Sequence, residues 1–174
     1  MNSELPKVDI TYGTKRHGER VYKSALTFFY HAIKKHHFTF EITTTDGSEI
    51  IANLMKTNTK AKLAVFSNCR LRLSEIACSK TRPFTMIPFV DSVVSLKEST
   101  ESRSHKTFHL ILNKAHAKNQ KVAVFMKNGK IVKGYSENCD FDSVTLSDSG
   151  HFTLVMYDAV KRIVPLEPDG SIAE

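Results

Sequence analysis

Residues 121–166 read KVAVFMKNGKIVKGYSENCDFDSVTLSDSGHFTLVMYDAVKRIVPL. Apolar side chains alternate along short runs, and this period is typical of strands with one buried face. Asn128-Gly129 and Ser149-Gly150 are dipeptides typical of tight hairpin turns. Gly134 stands midway along the second run, where a missing side chain lets a strand bend. The stretch therefore predicts a strongly bent antiparallel sheet.

A helix is expected before this sheet and again near the start of the chain, over residues 106–118 and 21–37. In both segments apolar residues recur three and four positions apart, so that one face of a helix is apolar. These apolar residues are Ala25, Leu26, Phe29, Tyr30 and Ile33 in the first helix and Phe108, Ile111, Leu112 and Ala115 in the second.

The first half of the chain repeats this order of elements. Strand-like runs cover residues 38–47, 48–55, 63–77 and 83–96, the last with a break at Pro88. A shift of about 70 residues superimposes the last run on the end of the chain, whereas the Asp46-Gly47 turn needs a shift of about 82. The difference predicts about 12 extra residues in the first copy, between Leu54 and Arg82.

Five segments follow from this pattern, and a polar linker separates the two copies. They are an N-terminal tail (1–20), a first domain (21–96) with an extra basic segment (56–82), a linker (97–107), a second domain (108–166) and a short tail (167–174). A small curled sheet leaves open edges, and pairing of these edges with neighbouring copies would favour a ring.

The net charge of +7 is unevenly placed. Lys56–Arg82 contains seven basic residues and one acidic residue, and Ser102–Ser136 contains no Asp or Glu. Stretches of one sign attract polyphosphate and release its counterions on binding. The charge pattern therefore favours a nucleic-acid partner over a merely solvated face.

Other classes of protein find little support. No apolar run is long enough for a membrane span, and the N-terminus lacks the apolar segment of a signal peptide. Three cysteines without CxxC spacing indicate free thiols, so a cytoplasmic protein is expected. We find no enzyme motif, expect no cofactor, and regard the histidines at 105, 109 and 116 as surface residues because no further ligand completes a metal site.

The second half resembles the Hfq family of Sm-like RNA chaperones. The resemblance covers roughly residues 105–166 and lies in the basic helix end, the Asn128-Gly129 turn, Gly134, the acidic segment near Asp140 and the last strand at Tyr157–Pro165. It implies two tandem Sm-like (Hfq-type) domains. Each would be an α-helix followed by a strongly bent five-stranded antiparallel sheet, an SH3-like small barrel in a mainly β protein.

The resemblance also implies an activity. Members of this bacterial family form six-domain rings, bind single-stranded RNA and promote pairing of small RNAs with messages in post-transcriptional regulation. Uridine-rich ends bind on the helix face, adenine-rich segments on the opposite face and RNA bodies along a basic rim. A tandem copy suggests a homotrimer that closes a pseudohexamer ring. Whether A-rich or U-rich RNA is the partner stays open.

Residues are carried over from the family one at a time. Asn113 and Phe141 correspond to the uridine face, and Phe125 to the aromatic residue that stacks adenine. An aromatic ring beside cations suits single strands, since stacking contributes about 1–3 kcal/mol per base. Lys130 and Lys133 flank Phe125, and His116 is the rim residue, with Lys118 and Lys121 nearby. Tyr157 and the basic end of the first helix, Lys34 and Lys35, are the remaining candidates.

Two departures leave an alternative open. The family's Lys-His pair is Tyr157-Asp158 in this chain, and the matching positions of the first copy are Ile87-Pro88. An Asp near a phosphate would repel it, although Tyr157 could still stack on a base. The alternative is an Sm-like scaffold or assembly module that forms a ring but has lost RNA recognition.

Overall fold

The computed structural model describes residues 20–35, 38–90 and 106–173. Its first half contains α1 (Lys23–Lys35), β1 (Thr39–Thr44), β2 (Glu49–Asn58), β3 (Leu63–Phe66), β4 (Arg70–Arg72) and β5 (Ile76–Arg82). Its second half contains α2 (Lys106–Ala117), β6 (Lys121–Met126), β7 (Ile131–Cys139), β8 (Ser143–Asp148), β9 (His151–Met156) and β10 (Val160–Pro165). Single 3-10 turns, Leu73–Glu75 and Tyr157–Ala159, precede β5 and β10.

The ten strands form one continuous sheet in the order β10-β6-β7-β8-β9-β5-β1-β2-β3-β4. All of its neighbouring strands pair antiparallel. The expected fold, two tandem Sm-like domains with a five-stranded sheet each, is therefore wrong. The physical reason lies at the seam between the halves, where Cys78 pairs with Val155 and Lys80 with Thr153. Edges that we expected to pair with sister copies pair with each other inside the chain.

Two apolar clusters fill the core, and each takes residues from the other half. The first packs α1 on β1–β4 and includes Leu154 and Met156 of β9. The second packs α2 on β6–β8 and β10 and includes Ala77 and Cys78 of β5. Each cluster takes residues from both halves, so the two halves share apolar packing across the seam.

The start of α1 is also held by the second half. The Ser24 amide donates a hydrogen bond to the carboxylate of Asp140 at 2.8 Å, which satisfies one of the free N–H groups of the first helical turn. Arg20 forms an ion pair with Asp142 at 2.8 Å and a second one with Asp158. The Asp140 carboxylate also accepts bonds from the amides of Asp142 and Ser143, so Asp140 caps the loop between β7 and β8.

Both predicted helices and the five strands of the second half are confirmed. The prediction of a last strand over residues 83–96 is wrong for residues 83–90, which contain no strand, because β5 completes the first half; residues 91–96 lie outside the described residues. Nearly the same offset in residue number relates β1 to β6 and β5 to β10. The shift of 70 residues for the last run is therefore wrong, and so is the prediction of 12 extra residues in the first copy. The linker lies mostly outside the described residues, and the domain boundaries stay predictions.

Gly134, where the sequence predicts a bend, lies at a close approach of β7 to β8. A Cβ at this position would lie 2.7 Å from the carbonyl oxygen of Ser147 and 3.1 Å from Cβ of Leu146. A few residues further, the pairing register shifts between Ser136 and Asn138, which makes Glu137 the extra residue of a β-bulge. The glycine and the bulge together bend this part of the sheet.

Candidate nucleic-acid interface

Aromatic and cationic side chains share one face of the sheet, which we call the β6–β7 face. Strand pairing places Phe125 beside Ile131, Ala123 beside Lys133 and Lys121 beside Tyr135. On the other side of β6, Arg162 of β10 pairs with Phe125. The β6–β7 face is defined here by Lys121, Phe125, Ile131, Lys133, Tyr135 and Arg162.

Two cations on this face lie over aromatic rings. The guanidinium carbon of Arg162 is 4.3 Å from the ring centre of Phe125, and the ammonium of Lys121 is 5.9 Å from that of Tyr135. Phe125 is half-buried, whereas Arg162 is exposed. A guanidinium over an aromatic ring can stack on a base with its outer surface while its edge donates hydrogen bonds.

The β6–β7 face continues into a cleft of about 590 Å³ that reaches the seam. Lys80, Lys130 and Lys133 line this cleft together with His151, and Glu41 and Asp148 oppose them. The cleft thus joins cations from both halves of the chain, which the sequence alone did not place together. Its size and charge suit a strand of phosphates better than a compact apolar ligand.

The predicted lysines of this surface differ in their pairing. Lys130 forms an ion pair with Glu49, which raises the pKa of Lys130 and lowers that of Glu49. Lys121 lies 2.7 Å from Asp148 and lowers the pKa of that carboxyl. Lys133 is exposed and has no carboxylate partner among the described residues. A phosphate would meet Lys133 without first displacing an acid.

A second group of predicted residues lies on the helix side of the second half. The ring centres of Phe141 and His109 are 4.8 Å apart, and Phe141 is exposed. The Asn113 amide nitrogen lies 3.0 Å from Nε2 of His109, and Sγ of Cys139 lies 3.3 Å from Oδ1 of Asn113. The structure therefore brings Asn113 and Phe141 into one cluster, on a different surface from Phe125.

Cys139, His109 and Asn113 are the residue types of a thiol-nucleophile triad, and Sγ lies 3.6 Å from Nδ1 of His109. Burial, however, raises the pKa of the Cys139 thiol. A nucleophilic cysteine needs the opposite shift, because the thiolate is the reactive form. Nor do three potential metal ligands meet anywhere in the part of the chain that the structure describes.

The remaining predicted residues are scattered. His116 bonds to the carbonyl of Ser136, Lys118 is exposed after the end of α2, and Lys34 lies over the ring of Tyr30 at 4.8 Å. Lys35 ends α1, and its side chain falls outside the described residues.

Tyr157 is fully buried, with its ring 5.7 Å from that of Phe108. Burial accordingly raises the pKa of its hydroxyl. Its ring belongs to the core and offers a base no surface, so we leave Tyr157 out of the interface.

Sequence reasoning missed Arg162 and Tyr135 on the β6–β7 face. Tyr135 could have been found, because it follows Lys133 at the spacing of one face of a strand. Arg162 could not, because its place over Phe125 depends on the pairing of β10 with β6, more than thirty residues apart in the chain. No local pattern contains that register.

Two expectations about the environment can be compared with the structure. No helix within the described ranges is long and apolar enough to span a membrane. All three cysteines are free, as predicted, and Cys69 and Cys78 are buried.

A family model described as repressor of phase-1 flagellin matches residues 48–163, which is more than half of the chain and runs from the Asp-Gly turn before β2 into β10. The chain belongs to this family. No curated protein matches it. The membership corrects the assignment to the Hfq family, together with its tandem domains and its ring. That resemblance rested on turns and apolar alternation, which many antiparallel sheets share, while the Lys-His signature was absent.

Proposed function

We propose that this protein represses flagellin production by binding single-stranded RNA, with the β6–β7 face as the contact surface. The description of its family supplies the target, a phase-1 flagellin. The chemistry of the surface supplies the mode of action, since flat side chains beside cations suit unpaired bases on a phosphate backbone. Repression would follow when the bound protein occupies the flagellin message.

One observation carries this proposal: Arg162 lies 4.3 Å over Phe125, and the same face carries Lys133, which has no carboxylate partner among the described residues. Stacking on the guanidinium would hold a base, and Lys133 would contact the adjoining phosphate. Such an arrangement accepts any base, because every base has a flat face. The sheet side therefore supports RNA binding without deciding between A-rich and U-rich RNA.

The experiment is a titration of the full chain against labelled oligo-A, oligo-U, the leader of a flagellin message and duplex DNA, followed by fluorescence anisotropy. We expect the single strands to bind and their affinity to fall with salt, by about 0.7 logarithmic units per tenfold salt for each phosphate contacted. Binding that favours the duplex, or that ignores salt, would contradict the proposal.

Variants then test the surface itself. Phe125→Ala and Arg162→Gln should each weaken RNA binding by about fivefold or more, the factor expected for one lost stacking contact. Lys161→Gln is the matched control, because it removes the same charge from the next exposed residue, which does not cover Phe125. If all three variants bind like the wild type, the β6–β7 face is not the RNA site.

Two further parts of the prediction remain proposals. We place the protein in the cytoplasm, where its message would be and where free thiols persist. We also propose that copies associate through the outer edges of β4 and β10, which no other described strand pairs. Native mass spectrometry with and without oligo-A or oligo-U measures that association directly.

A second candidate function, binding of another protein, is favoured by the apolar segment 83–90. Phe84, Met86 and Phe89 are more than half exposed. The segment is nonetheless held in place, since Asn53 bonds to the carbonyl of Thr85 and to the amide of Ile87. An acidic segment would be the suitable partner, because described residues 50–74 contain five basic and no acidic side chains.

This second function predicts a separable phenotype. Alanine at Phe84, Met86 and Phe89 together should abolish repression of a flagellin reporter in cells while RNA affinity stays unchanged. If the same variant still represses fully, the apolar segment has no part in the function.

A further inference from the structure

A cavity of about 390 Å³ lies at the seam, on a surface that the proposed function does not use. Thr27, Phe28 and His31 of α1 form one side, and residues of β7, β8 and β9 form the other. At its edge the Thr81 hydroxyl accepts a bond from the Phe152 amide at 3.0 Å and donates one to the Phe152 carbonyl at 3.2 Å. The cavity therefore exists only when both halves are joined.

Three aromatic rings line this cavity: Phe28, Phe38 and Phe152. Phe28 is buried, whereas the other two keep part of their surface accessible. The volume lies within the roughly 300–1,000 Å³ of small-molecule sites. Flat apolar walls of this kind suit a planar ring that stacks between them.

The polar groups of the cavity come from the bulge in β7. In a regular strand neighbouring side chains point to opposite faces, but Glu137 is the extra residue of the bulge, and both Glu137 and Asn138 line the cavity. The Ser147 hydroxyl donates to Oε1 of Glu137, which orients the carboxylate. The bulge thus turns a carboxylate and an amide toward the same aromatic space.

This pair of groups selects among bases. An ionised carboxylate only accepts hydrogen bonds, and its two oxygens match two adjacent N–H donors. Guanine presents such a pair in its N1–H and its 2-amino group, and the Asn138 amide could donate to O6. Uracil has a single N–H on that edge, while in adenine and cytosine an acceptor nitrogen adjoins the amine. A phosphate is excluded because the carboxylate would repel it.

We infer that the seam cavity binds a guanine base, and within RNA this makes it a base-specific subsite. The claim that the cavity is a subsite for RNA rests on the proposed function, whereas the claim that it binds guanine does not. His31 at the mouth and Lys34 one turn further along α1 are exposed and would meet the adjoining phosphates. The β6–β7 face would then supply general affinity, and the seam cavity would supply sequence preference.

The test compares oligonucleotides of one sequence that carry guanine, inosine or adenine at a single position. Inosine keeps N1–H but lacks the 2-amino group. The wild-type chain should bind the guanine strand about tenfold more tightly than the inosine strand, the factor typical of a hydrogen bond to a charged group. Glu137→Gln should remove this difference. Glu167→Gln, which alters an exposed carboxylate of the C-terminal tail, should retain it.

A second measurement keeps the two proposals separate. Guanosine and GMP are titrated into the chain, and amide shifts of Asn138 and Phe152 are followed by NMR. Amide shifts together with a preference for the guanine strand support the subsite. Amide shifts from guanosine or GMP without any RNA binding assign the cavity to a free guanine nucleotide and overturn the proposed function. Equal RNA binding by the three strands, with no shifts from guanosine, overturns the inference and leaves the proposed function standing.

Discussion

Lys130 and Lys133 line the same cleft, but their neighbours make them unequal as RNA ligands. Lys130 is held by Glu49 and also donates to the Thr43 hydroxyl at 3.2 Å. A phosphate that binds Lys130 must therefore compete with a carboxylate, whereas one that binds Lys133 does not. The sequence singled out both lysines as RNA-binding candidates, but Glu49 lies in the other half of the chain, so its ion pair with Lys130 could not be foreseen.

Removing that acid should strengthen RNA binding. We expect Glu49→Gln to raise the affinity for single-stranded RNA by about two- to fivefold, because Lys130 would be released from its exposed ion pair and could bind a phosphate. Glu167→Gln changes the net charge equally without touching a lysine of the cleft. An equal gain in both variants, measured by anisotropy at one salt concentration, would mean that Lys130 does not contact RNA.

The Cys139 thiol gives a test that depends on pH. Its raised pKa favours the neutral thiol, so alkylation in the folded chain should be slow at pH 7 and accelerate only as pH rises above the ordinary value of 9.0. Burial likewise raises the pKa of Cys69 to about 11. The stabilisation from these neutral thiols is present below pH 9 and is lost as pH rises through the raised pKa values. Fast labelling of Cys139 at pH 7, seen by mass spectrometry, would restore its candidacy as a nucleophile.

At the scale of elements, the sequence predicted strands best where turn chemistry and apolar alternation agree, as between Lys121 and Pro165. The prediction of strands failed where hydrogen bonds to distant side chains replace the backbone hydrogen bonds between paired strands. Residues 83–90 are apolar enough to resemble a strand, yet the backbone groups of Thr85 and Ile87 bond to the side chains of Asn53 and Thr39. The strand β5 was hidden because it is central, so that four of its first five residues are buried and alternation is lost.

The bend in β7 at Gly134 leads to a prediction about the stability of the sheet. We expect Gly134→Ala to lower the free energy of unfolding by about 1–3 kcal/mol, since the new Cβ would meet the backbone of Ser147 and one of the two strands must move. Ser136→Ala, at a buried residue further along the same strand, is the control. Urea denaturation measures both variants, and equal stability would mean that the strands separate there without cost.

For the whole molecule, the decisive feature is the seam between β5 and β9. The seam cavity, the cleft and the continuous sheet all depend on it, yet nothing in the sequence marks Cys78 and Val155 as partners. Aromatic and basic residues could be predicted as candidates because their chemistry is local. The seam cavity and the cleft could not be predicted, since they require pairing between residues more than seventy positions apart.

A fragment experiment tests the seam directly. Residues 106–174 alone would expose the β9 edge and lose Ala77 and Cys78 from their core, so we expect this fragment to be poorly folded by circular dichroism and prone to aggregate. The complementary fragment 1–105 would lose Leu154 and Met156 in the same way. Mixing the two should restore the β-sheet signal, and the intact chain should unfold in one cooperative transition. Two separate transitions in the intact chain, or stable isolated fragments, would instead mean that each half is a complete domain and that the seam is a contact between them.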